Sequence, residues 1–306
     1  MSDSSKYVTC LSLVAFLAVV LAPGEACAPS TEPIQYGRGH KLCELANAAI
    51  TESSGLACSR LKPGIFWTHN DSGDLARLFA FNTQGENLAT YEVSDAEAID
   101  WEDMASFQLD DQSVLLIADV GDNNRRRGTC TLYVINEPEL DADQRDATGT
   151  VEPTLTIRFR YEDGRHNCEA VAVDPTTKAI FLVTKAGRRK CTVYRLPWPE
   201  APSAEPLVAT AVATLKLPPV TAADISPDGL RAIVLTYGAA YEYSKKPDEE
   251  WVEAFSRDPR IVRMPMRIQG ESICYGQDGK TLYLTSEKRP TPLLEVPVVQ
   301  PGSAGD

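Results

Sequence analysis

The sequence predicts an all-β fold: a β-propeller, with five four-stranded blades and six as the alternative. Three observations lead there. An apolar run ending in a small residue recurs five times: Ile65-Phe66-Trp67-Thr68, Leu115-Leu116-Ile117-Ala118, Phe181-Leu182-Val183-Thr184, Ile233-Val234-Leu235-Thr236 and Leu282-Tyr283-Leu284-Thr285. The closing residues stand 50, 66, 52 and 49 positions apart, and self-similarity at such a period marks a repeat architecture. Each run also has an upstream partner, opening at Glu52, Glu102, Glu169, Thr221 or Glu271. In the fourth repeat the acid, Asp224, comes three places late. Turn signals separate partner from run at Asp174-Pro175, Ser226-Pro227-Asp228-Gly229 and Gln277-Asp278-Gly279. No amphipathic helix of useful length is visible, which disfavours an α/β fold.

Taken in order, residues 1–28 read as a secretory signal. Lys6 precedes an apolar run from Tyr7 to Ala22, then Pro23, Gly24 and small residues around Ala26, a stretch short for a membrane span. Gly24 stands where a lipobox carries Leu, so a lipid anchor through Cys27 is disfavoured. A secreted or periplasmic protein follows. Residues 29–37, rich in Pro, Ser and Thr, read as a linker, 38–298 as a single propeller domain and 299–306 as a C-terminal tail. Blades are expected at 52–95, 96–162, 163–217, 218–266 and 267–298. Third strands open at Arg77, Cys130, Cys191, Tyr241 and Leu293, and fourth strands cover Leu88–Val93, Leu155–Arg160, Leu207–Leu217 and Ile261–Met264. The last repeat runs out after three strands. The segment His40–Leu45 can supply its outer strand, which would close the ring and remove two open edges. The second repeat is long enough to hide a sixth blade.

Net charge is −13, from 43 acidic and 30 basic residues. That argues against nucleic acid or an anionic membrane as the main partner. A monomer that binds a small anionic ligand, or an exported protein or glycan, fits better. Beyond the signal lie Cys43, Cys58, Cys130, Cys168, Cys191 and Cys274, an even number compatible with disulfides in an exported chain. Cys130 and Cys191 occupy equivalent places a blade apart, too far to bridge, so Cys168 is the better partner for either. Cys58 and Cys274, in apolar strands, also read as buried thiols.

In such blades the first strand begins, and the second ends, on one face of the disc. Glu52, Asp100 or Glu102, Glu169 and Glu271 therefore converge on the channel. They are joined by the strand-end groups His69, Asn70, Asp71, Asp119, Asp122, Asn123, Lys185, Tyr237 and Glu287. Crowded carboxylates repel in a partly desolvated channel. A hard, oxygen-loving cation such as calcium would relieve that. The bland alternative is that each acid accepts hydrogen bonds from the next blade's backbone and only holds the ring together. His69 is a candidate general base or a hydrogen-bonded structural residue. Gly-x-Ser-x-Gly does not occur, which disfavours serine nucleophile chemistry. Arg125-Arg126-Arg127 and Arg188-Arg189-Lys190 follow the second strands of adjacent blades, near Lys185. They suit an anionic ligand or plain loop solubility.

The repeated Glu-Ala/Ser-apolar, Ser-Pro-Asp-Gly and apolar-Leu-Thr pattern over residues 52–298 resembles secreted bacterial β-propellers of the phytase-like and gluconolactonase–paraoxonase type. The resemblance implies a calcium ion on the propeller axis that activates an ester, lactone or phosphoester. Glu52, Asn70, Asp119, Glu169 and Glu271 match the ligand types, with Asp119 or His69 to take the proton from water. Lys185, Tyr237, Arg125 and Arg188 would contact the ligand. Two departures stand out: those enzymes have six blades, and Lys185 and Tyr237 occupy positions where further oxygen ligands are expected. The rival reading is a non-catalytic propeller that binds a ligand or protein.

Overall fold

The computed structural model describes residues 34–141, 143–185, 187 and 190–299. The predicted signal and Arg188 lie outside them. The chain enters through β1 (His40–Glu44) and then builds one antiparallel sheet from β2 (Ser53–Cys58), β3 (Ile65–Asn70), β4 (Arg77–Asn82) and β5 (Asn87–Val93). A second follows with β6 (Trp101–Leu109), β7 (Gln112–Asp119) and β8 (Cys130–Asn136). The extra length of this repeat forms β9 (Ala147–Val151), which pairs in parallel with β5 as a fifth strand of the first sheet. β10 (Leu155–Tyr161) then returns to β8.

The third sheet is β11 (Cys168–Val173), β12 (Ile180–Thr184), β13 (Cys191–Leu196) and β14 (Leu207–Leu215). Its outer strand touches β10 in parallel over three residue pairs, Phe159↔Leu207 to Tyr161↔Ala209. The fourth contains β15 (Val220–Ile225), β16 (Arg231–Thr236), β17 (Ala240–Ser244) and β18 (Arg260–Val262), with the short helix α1 (Trp251–Phe255) before β18. The last has β19 (Ser272–Tyr275), β20 (Leu282–Thr285) and β21 (Pro292–Val296). The segment predicted to complete it does pair there: β1 runs antiparallel to β21, from His40↔Glu295 to Glu44↔Pro292. The first strands β2, β6, β11, β15 and β19 pack side by side, and β19 returns to β2. This all-β repeat of sheets is a propeller arrangement.

Burial explains the strand patterns. β2, β3, β11, β12 and β15 are buried at every position, because both faces pack on neighbouring sheets, and so their apolar stretches do not alternate with polar residues. Polar groups they carry, such as Ser54 and Asp224, are hydrogen-bonded. The outer β10 alternates between buried and exposed, as a strand with one wet face must. Helix α1 buries Trp251, Ala254 and Phe255. Phe255 meets Phe181 and Tyr243 edge-on, and Trp251 Nε1 donates to Asp174 at 3.0 Å. A helix of five residues is too short to announce itself by periodicity.

Side chains stitch the sheets together through backbone groups. Asp103 Oδ2 accepts the N–H of Val171 on β11 at 2.9 Å and of Ala223 on β15 at 3.1 Å, while Oδ1 takes its neighbour Met104. Asp224 does the same for Ile225 and for Tyr275 on β19, both at 2.8 Å. Ser54 donates to Glu102 O and Ser106 to Cys58 O. Ahead of β1, Tyr36 bridges Val298 and its hydroxyl donates to buried Glu242 at 2.5 Å.

The cysteines correct the disulfide expectation. Cys43, Cys58, Cys130, Cys168 and Cys274 are free thiols, and Cys191 turns its Sγ to the carbonyl of Pro218 at 3.5 Å. Each of the last five is buried within apolar packing, and Cys168, offered as the bridging partner, instead donates to the carbonyls of Ala170 and Val183.

Asp103→Ala orphans the N–H groups of Val171 and Ala223 on two other strands. Urea denaturation is expected to show a loss on the order of 2–6 kcal/mol, at ~1–3 kcal/mol per buried unpaired group. Asp103→Asn keeps one acceptor oxygen and should lose less. An Ala variant as stable as the parent would remove Asp103 from this role.

Candidate functional site

Bulges build the channel mouth. In the second sheet Trp101 pairs with Asp119 and Asp103 with Ala118, which leaves Glu102 as an extra residue in β6. The third sheet repeats this around Glu169, between Cys168 and Ala170, and the fourth around Thr221. A bulged residue has no partner opposite and bends its strand, which re-aims the side chain. Glu102 and Glu169 are thereby brought into contact from two different sheets. Thr221 shows why the fourth repeat carries no acid at this position. Its hydroxyl donates to Gly270 O at 2.8 Å and fastens the next loop.

Around Glu102 gather Asp71, just past β3, and Asp100, just before β6. One oxygen of each of the three lies within 4.8 Å of the others. Gly121 permits this approach. A Cβ there would stand 2.3 Å from Glu102 Oε1 and 2.4 Å from Asp100 Oδ2, so the backbone itself forms the back wall. Neighbouring carboxylates are held by donors. Asn167 Nδ2 reaches Glu169 Oε1 at 2.6 Å and Lys185 Nζ reaches Oε2 at 2.9 Å. Glu102, only 6% exposed, shares a side-chain hydrogen bond with Glu169 and otherwise faces Asp71 and Asp100, with Lys185 acting on it from beyond Glu169.

The electrostatics follow. Burial, then Asp71 and Glu169, pushes Asp100 up to about 6. Burial, then Glu169, Asp71 and Asp100, holds Glu102 well above the usual carboxylate range. Across the mouth, burial and then Glu287 push Glu271 up to about 8. Lys185 is the exception: burial opposes its charge, but Glu169 outweighs it and raises its pKa. Its ammonium also sits 5.3 Å over the ring of Tyr237, which is 44% exposed.

Of the predicted site residues, Glu169, Glu271, Lys185 and Tyr237 meet at this mouth. Others do not serve as predicted. Asp119 is fully buried and clamped by Arg127 at 2.6 and 3.0 Å and by the Asp100 N–H at 2.8 Å, so neither oxygen is free for a proton or a metal. Asn70 spends its amide on Thr51 N, Glu52 N, Ala49 O and Asp74. His69 is buried against Gly55 and edge-on to Trp101, with Nδ1 on Asn70 O. Burial lowers its pKa, which makes it a neutral core residue out of reach of substrate. Glu52 is exposed, with its charge felt at Glu287. Arg125 is exposed in a turn with φ 52°, and Arg188 lies outside the described residues. Asp71, Asp100 and Glu102 stood among the converging acids, but the type-matched ligand set left them out. Gly121 carried no signal, since its role arises from its close approach to Glu102 and Asp100.

Neither a family model nor a curated protein matches the chain. Among solved structures it is similar to a putative 6-phosphogluconolactonase from Bacteroides uniformis, at 16% identity over 85% of this chain and 71% of that one, TM-score 0.38. It is also similar to U3-55K (10%, 80% and 67%, TM-score 0.37) and to the WD40 repeats of RRP9 (10%, 81% and 67%, TM-score 0.38). No helix among the described residues is long and apolar enough to cross a membrane.

The raised acids fix the sign of a pH effect. In the unfolded chain such groups titrate near ~4. A raised folded pKa therefore gives stability that is complete below ~4 and lost as pH climbs through the folded value, about 6 for Asp100 and about 8 for Glu271. In chelator, the melting temperature is expected to fall between pH 5 and 8.5, and Glu271→Gln to flatten the upper part of that fall. A melting temperature that rises across the window would contradict these assignments.

Proposed function

We propose that this chain is an exported five-bladed propeller, closed by the β1–β21 pairing, that binds one divalent cation at its channel mouth and, through it, an anionic ligand. The blade count is supported by the five first strands and by β9 joining the first sheet rather than starting a sixth. Export is supported by the apolar N-terminal pattern in the sequence. The cation rests on one observation: buried Glu102, whose side-chain partner is another acid, Glu169, stands with Asp71 and Asp100 so that one oxygen of each of the three lies within 4.8 Å of the others. Uncompensated carboxylates in a desolvated site are costly unless a cation or protons join them.

The donor set fits such an ion. It is all oxygen, which suits calcium better than zinc. Asp71, Asp100 and Glu102 would hold it, with Glu169 beside them. A bound cation would supply positive charge to polarise a ligand oxygen. Lys185, already tied to Glu169, sets a second positive charge next to it, and Tyr237 offers an exposed ring. With Asp119 and His69 locked in the interior, binding is the better supported activity. Hydrolysis draws on one observation, Glu271, which keeps its proton near neutrality and could give it to a leaving oxygen.

Calcium titration by calorimetry, together with elemental analysis, tests the cation. Binding is expected in the ~0.1–1 mM range of extracellular modules or tighter, and bound calcium should raise the melting temperature. Glu102→Gln is expected to weaken binding at least tenfold without lowering the melting temperature in EDTA. Equal destabilisation with and without calcium would make Glu102 a structural residue and sink the reading. Ester, lactone and phosphoester assays decide hydrolysis: turnover lost in EDTA and in Glu271→Gln is the supporting result, and turnover indifferent to both counts against it.

A further inference from the structure

A pocket of about 430 Å³ opens beside Tyr237, under the loop that links β18 to β19. Its walls are Tyr237, Met264, Pro265, Met266 and Ile268, and Arg267 lies among them. Met266 is 99% exposed and Ile268 65%, so apolar surface that would ordinarily be buried faces solvent around a cavity. Flexible methionines and a ring edge suit an apolar body of variable shape.

Arg267 gives the pocket a charge. Its Nη1 donates to Gly238 O at 3.2 Å and Pro265 O at 3.4 Å, and its Nη2 to Thr236 O at 2.7 Å. These three partners are neutral carbonyls, and among the described residues no carboxylate forms an ion pair with it. Nε is sealed inside without a partner, pressed against Gly270, where a Cβ would lie 1.8 Å away. A guanidinium has five N–H donors, so one on Nη2 remains unspent. Desolvated arginines are ordinarily paired.

The acids nearby do not supply that pair. Glu271 is felt by Arg267 only at a distance and forms no ion pair with it, Glu287 accepts from Gln269 Nε2 at 2.7 Å, and Glu169 is held by Lys185.

We propose that this pocket is a binding site for an amphiphilic carboxylate, with the acid group on Arg267 and the hydrocarbon body against Tyr237, Met264, Met266 and Ile268. One spare donor suits a carboxylate better than a phosphate, which needs several. The pocket shares Tyr237 with the mouth but contains none of the residues proposed to hold the cation, and it needs no cation.

Calorimetry in EDTA on the full chain, with octanoate as probe, tests it. Octanoate is expected to bind, with acetate, octanol and octylamine each at least tenfold weaker. Arg267→Gln should bring octanoate down to the level of octanol. Because Arg267 also ties the loop through three carbonyls, Ile268→Asp serves as a second variant. It should weaken octanoate at least tenfold at an unchanged melting temperature, and Ile268→Phe should restore it. Octanoate that binds wild type no better than octanol, or binds Ile268→Asp as well as wild type, would overturn the proposal. Tighter binding of octyl phosphate would overturn the choice of carboxylate.

Discussion

The structure depends on carboxylates that accept backbone N–H groups across strand boundaries near the axis. Asp103 is the central case. From β6 it reaches both β11 and β15, and Asp224 on β15 passes the same contact to β19. First strands buried on both faces have no water to satisfy a stray polar group, so every N–H needs a protein acceptor. Burial raises the pKa of Asp103 even against its three donors. Near the axis these side chains are buried and taken up by backbone groups.

That division of labour separates two kinds of acid. Asp103 and Asp224 sit within the ladder and have their oxygens taken by backbone amides. Glu102 and Glu169 sit one turn of the pleat earlier, on bulges, and are pushed out of the ladder towards each other. Glu169 meets Lys185 and Asn167; Glu102 meets Glu169, Asp71 and Asp100. This crowding of carboxyl groups is a consequence of the bulge, and Gly121 is what lets it fit.

Hydroxyls at the strand ends complete the pattern. Ser53 touches both Thr68 and Thr285 at 2.7 Å, which joins the first and last sheets, and Thr236 closes its own turn on Ala239 O at 2.8 Å. The threonine that ends four of the five apolar runs does this local work, at Thr68, Thr184, Thr236 and Thr285; the second run ends in Ala118, which has no hydroxyl. Lys185 and Tyr237, which follow two of those ends, project into the mouth for the same geometric reason.

Much of this was legible in the sequence because it depends on local chemistry. Buried strands must be apolar, turns must use Asp, Pro and Gly, and their period of about fifty residues is printed in the chain. The main strands and the convergence of Glu102, Glu169 and Glu271 on one face follow from that, but not β9, which crosses from the second repeat to the first sheet. Which acids stay free does not. Asp119 and Asn70 carry the right chemistry at the right strand ends, yet Arg127, Asp74 and nearby backbone consume them. His69 looks like a base and is a core residue because it packs on Gly55. The sequence's even cysteine count did not reveal that Cys58 and Cys274 share one apolar core cluster and Cys130 and Cys168 another. A one-residue bulge reverses where a side chain points while leaving the pattern of residue types almost untouched. The sequence by itself determined the repeat and the residues that could reach the mouth; the tertiary structure decided which of them arrive there with an empty hand.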